Sequence, residues 1–295
     1  LREHDFGGHR KRRRQFDDDD PYILKHRRQE IPTESGALDA VPYSTWGEPG
    51  VLHGPQPRPD WVVTELAAID AELGLVKTGK EAEVYLIERA VPETGRSSLL
   101  AAKRYRAPEH RLFHRDAGYL EGRRVRRSRE TRAMANRTAF GREVIAGQWA
   151  SAEFAALSRL WEEGAAVPYP VQLLGTEVML EFIGDPDGEA APRLAQLRPQ
   201  GAELADLWSQ LVEALVVLAR AGYAHGDLSA YNILVHQGRL VLIDLPQVVD
   251  VISNPQGGDF LVRDVRNVAR WFASRGLEVD ADALARDLLA DAGVR

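Results

Sequence analysis

Hydrophobic positions follow two rhythms along the 295-residue chain. Apolar-rich runs of strand length fall at 84–87, 99–105, 171–174, 177–183, 233–235 and 240–243. They are too short for helices and are set off by Gly, Pro and polar residues. Elsewhere apolar residues return every three or four positions, the period of a helix with one buried face. Ile145, Trp149, Ala152, Ala156 and Leu160 predict a helix over 141–164, and Leu204, Leu207, Leu211, Leu215 and Leu218 a more hydrophobic one over 201–221. Residues 259–274 and 280–290 read as two more, the second with Asp280 as N-cap. Val62, Leu66 and Ile69 have the same spacing, with Asp60 as N-cap and Gly74 as terminator, so a helix is predicted there as well.

Two stretches fit neither rhythm. Residues 1–59 carry Arg10-Lys11-Arg12-Arg13-Arg14, then Asp17-Asp18-Asp19-Asp20, then a Pro/Gly-rich segment over 49–59. Such composition buries too little apolar surface to offset chain entropy, and a disordered charged tail is expected. Residues 104–142 are dense in Arg and poor in acids, although the whole chain has a net charge of -6. This reads either as a local basic surface that docks rRNA or an acidic protein segment, or as a long flexible insertion with solvated charge, and it holds Ser128, Thr131 and Thr138 as candidate phosphate acceptors. Hydrophobic content of 44% allows a sizeable core. The chain has no cysteine, which excludes disulfides, Cys-ligated zinc and thiol catalysis, and fits a reducing compartment. No apolar run approaches the roughly 18 residues of a membrane span. The N-terminal stretch lacks an apolar signal core, so a cytoplasmic location without membrane contact is expected.

Candidate chemistry concentrates at 225–246. His225-Gly226-Asp227-Leu228-Ser229-Ala230-Tyr231-Asn232 leads into one strand, Gln237-Gly238 makes a turn, and the returning strand delivers Asp244. A hairpin thus carries Asp227 and Asn232 at its entrance and Asp244 at its exit. Singly these are ordinary turn residues. Together they match the protein-kinase layout, in which one Asp orients the attacking hydroxyl while an Asn and a second Asp hold Mg²⁺ on the nucleotide phosphates. Mg²⁺ keeps its waters and phosphates, so two protein ligands suffice. His225 is expected to hold the loop backbone and not to act as a base.

Upstream, Gly74 to Lys80 fits the start of a Walker A loop, but Glu81 stands where that loop needs Ser or Thr, and a strand follows instead of a helix. A phosphate-covering loop between two strands fits better, with Thr78, Gly79 and Lys80 nearest the phosphates. Lys103 follows an apolar run, as does the kinase lysine that pairs with the α- and β-phosphates. Glu153, one turn beyond Trp149, is its expected helical partner; Glu143, Glu162 and Glu163 lie near the helix ends. The strand over 177–183 would become the hinge, with Leu180, Glu181 and Ile183 offering backbone groups to adenine.

Through Thr78-Gly79-Lys80-Glu81-Ala82 with Val84-Tyr85, Trp149-Ala150 with Glu153, Glu181-Phe182-Ile183-Gly184, the loop over 225–232, and Ile243-Asp244-Leu245-Pro246-Gln247, the chain resembles the RIO family of atypical serine/threonine protein kinases, type-1 branch, over roughly 61–290. Gly226 in place of the Arg of His-Arg-Asp, and the lack of Ala-Pro-Glu after Asp244, agree with that family. The resemblance implies an α+β, bilobal protein-kinase-like fold: a small β-rich N-lobe over 60–183, interrupted by the insertion at 104–142, and a reduced helical C-lobe over 184–295. It implies ATP-dependent phosphorylation of Ser/Thr hydroxyls, autophosphorylation included, with Mg²⁺ or Mn²⁺. Asp227, Lys103 and Asp244 would be catalytic, Asn232 and Asp244 would bind metal, and Thr78, Gly79, Lys80, Lys103, Glu153, Leu180, Glu181 and Ile183 would surround the nucleotide. It also implies a second mode, an ATPase switch in small-ribosomal-subunit maturation. There phosphate would pass to Asp244, and rRNA or a ribosomal particle would dock on 104–142. A small-molecule phosphotransferase of the aminoglycoside or choline type shares His-Gly-Asp but generally needs an extended acidic helical region, and only about fifty residues follow Asp244. All kinase readings require Lys103, Glu153, Asp227, Asn232 and Asp244 to meet around one triphosphate.

Overall fold

The computed structural model describes residues 43–79, 81–106, 139–245 and 248–294. The strand rhythm produces one six-stranded sheet, ordered β1-β5-β6-β4-β3-β2, with every neighbouring pair antiparallel. Its strands are β1 (Leu52–His53), β2 (Ile69–Thr78), β3 (Ala82–Ala90), β4 (Ser97–Tyr105), β5 (Pro170–Leu174) and β6 (Glu177–Glu181). Successive side chains point to opposite faces of a strand. On β4, Leu100 and Ala102 join a cluster with Trp46, Val62, Ile87, Tyr169, Val171 and Met179. Tyr105 looks the other way, into a cluster with Ala82, Leu173 and Val178 that packs on Ala146, Ala150 and Phe154 of helix α1 (Ala139–Glu162). Lys103 shares the face of Tyr105, so the alternation delivers it to the helix side.

Further along α1, Ala156, Leu157 and Leu160 enter a second, larger core. That core is built by α2 (Gly201–Arg220), β7 (Tyr223–Ala224), the hairpin β8 (Ile233–His236) and β9 (Arg239–Leu242), β10 (Val249–Asp250), α3 (Gly257–Ala273) and α4 (Ala281–Asp291). α2 buries Leu204, Leu207, Leu211, Leu215 and Leu218, the stripe its sequence predicts. The β8–β9 turn uses Gln237 and Gly238, both at positive φ (50° and 77°), the type I′ geometry that suits a two-residue hairpin. Asp280 caps α4, accepting from the Ala283 N–H at 2.8 Å. The architecture is the expected α+β, kinase-like pair of lobes. Among the described residues no helix is long and apolar enough to cross a membrane.

Three sequence expectations are corrected. No helix forms after Asp60. The chain turns there, with the Val62 N–H bonded to the Pro59 carbonyl, and then enters β2. Leu66, the middle of the supposed apolar face, is 74% exposed. Gly74, read as a helix stop, sits at φ 148° where the β2–β3 register shifts, a bulge within the strand. Three apolar residues gave a helical spacing, but pairing along the whole strand outweighs so short a local signal.

The charged tail does not extend to residue 59. Trp46 is buried and stacks on His53, Leu52 pairs with Leu173, and the Tyr169 hydroxyl donates to the Pro55 carbonyl at 2.9 Å. This segment covers a polar interior: the fully buried Arg89 donates to both Asp70 oxygens (2.7 and 2.8 Å) and to Gln172 (2.9 Å), and Gln172 donates to Thr45 (2.7 Å). Residues 1–42 lie outside the described residues. The Arg-rich stretch is also narrower than 104–142. Arg104 belongs to β4, paired with Glu72 and Glu177, and α1 begins at Ala139. Residues 107–138, with Ser128, Thr131 and Thr138, lie outside the described residues.

Candidate active site

Lys103 lies at the centre of the cleft. Its Nζ donates to Glu153 Oε1 and to Asp244 Oδ1, both at 2.7 Å, although the two carboxylates lie 50 and 141 residues further along the chain. Burial opposes the Lys103 ammonium, but the charges of Glu153 and then Asp244 more than offset it and hold Lys103 above the ordinary lysine range. Glu153 is almost wholly buried, and its carboxylate is filled by donors. Oε1 also accepts from the Leu245 N–H at 3.2 Å, and Oε2 accepts from the Tyr105 hydroxyl. Glu153 therefore ties β4, α1 and the segment after β9 into one unit. Burial, then the charge of Glu153, push the Tyr105 hydroxyl well above its usual range, so it stays a donor.

Asp244 has φ 66°, a left-handed backbone that a non-glycine residue rarely adopts. Its side chain is 38% exposed and faces the cleft. Burial would raise its pKa, but Lys103, by charge and by hydrogen bond, lowers it to about 2, with smaller help from Lys77 and His225. The carboxylate is thus ionised across the neutral range.

The loop at 225–232 is held by its backbone. The Gly226 and Leu228 N–H groups donate to the two oxygens of Asp264 in α3, at 2.7 and 3.0 Å, and Arg263 donates to the Gly226 carbonyl. Asp264 is 1% exposed. Burial raises its pKa, against the opposing effects of His225 and of these two N–H groups. Gly226 has φ 87°, where a β-carbon is strained, so an Arg here would meet a backbone that favours glycine. His225 Nε2 lies 3.0 Å from the Ile243 carbonyl, which makes it the structural residue expected. Asn232 donates through Nδ2 to the Asp227 carbonyl at 2.9 Å, which leaves its Oδ1 available as a hard oxygen donor. Asp227 is exposed at the mouth of this loop.

The expected nucleotide residues divide into two groups. Lys103, Glu153 and Asp244 meet directly, and Asn232 touches the backbone of Asp227. Thr78 ends β2, and the Gly79 N–H closes the β2–β3 turn on the Ala82 carbonyl at 2.8 Å. Lys80 lies outside the described residues. In the segment expected to be the hinge, Leu180 pairs with Ala101 and packs against both cores. The Glu181 N–H is already bonded to the Tyr169 carbonyl, and the Ile183 carbonyl accepts from the Ala191 N–H. Among the described residues the Ile183 N–H has no backbone acceptor. Sequence reasoning missed Tyr105 and Asp264, and both left a signal. Tyr105 shares a strand face with Lys103, and Asp264 is a lone acid on the buried face formed by Leu261, Val265 and Val268.

The donor set suits a magnesium-bound polyphosphate: an ionised carboxylate and an amide oxygen beside a fixed ammonium. Among the described residues no three His, Cys, Asp or Glu side chains gather as a metal cage. A magnesium ion held by only two protein donors would keep coordination positions for phosphate and water.

Known proteins place this arrangement. The RIO domain model matches residues 100–284. A RIO-type serine/threonine-protein kinase Rio1 of Haloferax volcanii is 35% identical over 226 residues, 76% of this chain and 71% of its own length. A serine/threonine-protein kinase RIO1 of Chaetomium thermophilum is 32% identical over 227 residues, 74% of this chain but 42% of its own length. Among solved structures, a Rio2 kinase from Chaetomium thermophilum, crystallised as an ADP/Mg²⁺-phosphoaspartate complex, superposes with a TM-score of 0.55 at 20% identity. It covers 75% of this chain and 62% of that one, which supports the fold. With its family model spanning Lys103, helix α1 and the hairpin that carries Asn232 and Asp244, the chain belongs to the RIO domain family of serine/threonine-protein kinases.

Proposed function

We propose that this chain is an ATP-dependent phosphotransferase of RIO type that moves the γ-phosphoryl group of ATP to Ser or Thr hydroxyls, its own included. The observation that carries the reading is the double contact of Lys103 with Glu153 and Asp244, which sets an ammonium and an ionised carboxylate together at the cleft. Lys103, positioned by Glu153, would meet the α- and β-phosphates and in doing so release Asp244. Asp244 and the Oδ1 of Asn232 would then hold Mg²⁺ or Mn²⁺, which neutralises phosphate charge when bound. Asp227 would accept the hydrogen bond of the acceptor hydroxyl and aim its oxygen at the γ-phosphorus. Thr78, Gly79 and Lys80 would cover the phosphates. Adenine would lie against Leu180, with the Ile183 N–H and the Glu181 carbonyl as its backbone partners. Phosphoryl transfer depends mainly on positioning and charge neutralisation, which these groups can supply.

The chain's place in the cell is part of the same proposal. The absence of cysteine fits a cytoplasmic setting, and the Arg-rich stretch fits a phosphate-rich partner such as rRNA. Phosphosite mapping after incubation with Mg-ATP tests the chemistry. Label is expected on Ser or Thr, and Asp227→Ala should lower the rate by about a thousandfold. Undiminished labelling in that variant would reject the role of Asp227. A hydroxylamine-sensitive label confined to Asp244 would instead point to the ATPase switch.

A further inference from the structure

Beyond its small effect on Asp244, Lys77 has no role in the machinery described so far. On β2 it pairs with Val84 of β3, and Val84 pairs with Lys103 of β4. Residues directly opposite on antiparallel strands share a face. Lys77 and Lys103 therefore leave the sheet on the same side, two strands or roughly 10 Å apart. Lys77 is half-buried and immediately precedes the turn at Thr78 and Gly79. Arg193 comes from the other lobe. It bridges to Leu234 of β8, two residues after Asn232, and the preceding Pro192 carbonyl accepts from the Val235 N–H at 3.0 Å.

These cations have few anions to answer them. Glu153 is filled by its own donors, and Asp244 is engaged by Lys103. Among the described residues the Lys77 ammonium makes no hydrogen bond or ion pair. Burial, then the charge of Arg193, disfavour its ammonium; Asp244 relieves part of this, and Lys103 adds to it. Like charges that face one cleft repel, and a polyanion bound between them relieves the repulsion.

We infer that Lys77 and Arg193 form a second phosphate grip, one cation from each lobe, closing on the polyphosphate end of the nucleotide beyond the reach of Lys103. The inference rests on the kinase reading and adds a specificity to it. The cleft would select nucleoside triphosphates over monophosphates by charge, and phosphate would link the two lobes.

Calorimetric titration of the full chain tests this with ATP and AMP in Mg²⁺ and with inorganic tripolyphosphate. Lys77→Met and Arg193→Met should each weaken ATP and tripolyphosphate binding about tenfold or more, the effect of one charge-assisted hydrogen bond. AMP affinity should stay within about twofold, since AMP lacks the outer phosphates. Lys77→Arg should restore most of the loss. Ligand-free Lys77→Met should melt no lower than the parent, because a repelled charge is gone; a purely structural lysine would lower the melting point. The grip is overturned if either variant binds ATP as the parent does, or if ATP and AMP weaken together. If the parent itself binds no ATP, the kinase reading falls as well; if the parent binds and the variants match it, the grip alone falls.

Discussion

On the sheet side of the cleft, Lys103 is held by side chains alone: two carboxylates, one of them shared with Tyr105 and Leu245. On the helical side, Asp227 and Asn232 ride on a loop whose backbone N–H groups end on the buried Asp264. The first arrangement is electrostatic and can be re-partnered. On the proposed reading, Lys103 would exchange Asp244 for a phosphate oxygen when the nucleotide binds. The second is a set of fixed hydrogen bonds between backbone and one carboxylate. Exchanging any of them would leave buried donors unsatisfied. On the proposed reading, the groups that change partners during a cycle are mounted on ion pairs, and the group that aims a hydroxyl is mounted on a tethered backbone.

The sharpest way to break this contrast is Asp264→Ala. It leaves two buried N–H groups without acceptors, at about 1–3 kcal/mol each. A loss of roughly 4 kcal/mol in urea unfolding is expected, with phosphotransfer lost as the loop relaxes. A change below about 1 kcal/mol would show that the loop is not tethered there.

Lys103→Met should cost somewhat less, about 3 kcal/mol, because it strands the buried Glu153 without its counter-ion. Adding Glu153→Gln to that variant should recover part of the loss, since the double change removes the stranded charge. A double-mutant cycle on unfolding free energies measures the coupling. Strict additivity would mean that the pair is not the electrostatic unit described.

The smallest expected effect is that of acid. The folded pKa of Asp244, about 2, lies below its ordinary value of 3.8. Its contribution to stability is therefore complete above about pH 4 and fades as pH falls toward 2. Comparing the parent with Asp244→Asn across that window should show the parent's acid-induced loss reduced in the variant. Equal slopes would remove Lys103 as the cause of the depressed pKa.

Much of this site is legible in the sequence because its groups sit on regular elements. Lys103 is placed by strand alternation, Glu153 by helical spacing, and Asp244 by a hairpin whose turn, Gln237-Gly238, allows one geometry. What the sequence conceals is tertiary. Trp46 lies in a Pro/Gly-rich segment with no strand or helix rhythm, and its burial depends on Arg89, Asp70 and Gln172, which come together only once β2, β3 and β5 join one sheet. The strand at Ile69–Thr78 is disguised by a bulge, since Gly74 breaks the alternation that would have announced it. Asp264 carried a visible signal, an acid on an apolar helix face, but its purpose appears only with the loop above it.

Helix α1 runs through both cores, with Ala146, Ala150 and Phe154 under the sheet and Leu157 and Leu160 sunk in the lower lobe. It works as an axle common to two wheels. A control mechanism that swings such a helix outward to disengage its glutamate would have to uproot its far end from the larger hydrophobic body. Switching by helix rotation is thus costly in this molecule. The inexpensive place to regulate it is the mouth of the cleft, where Asp244 and Asp227 meet solvent and charge alone can decide what enters.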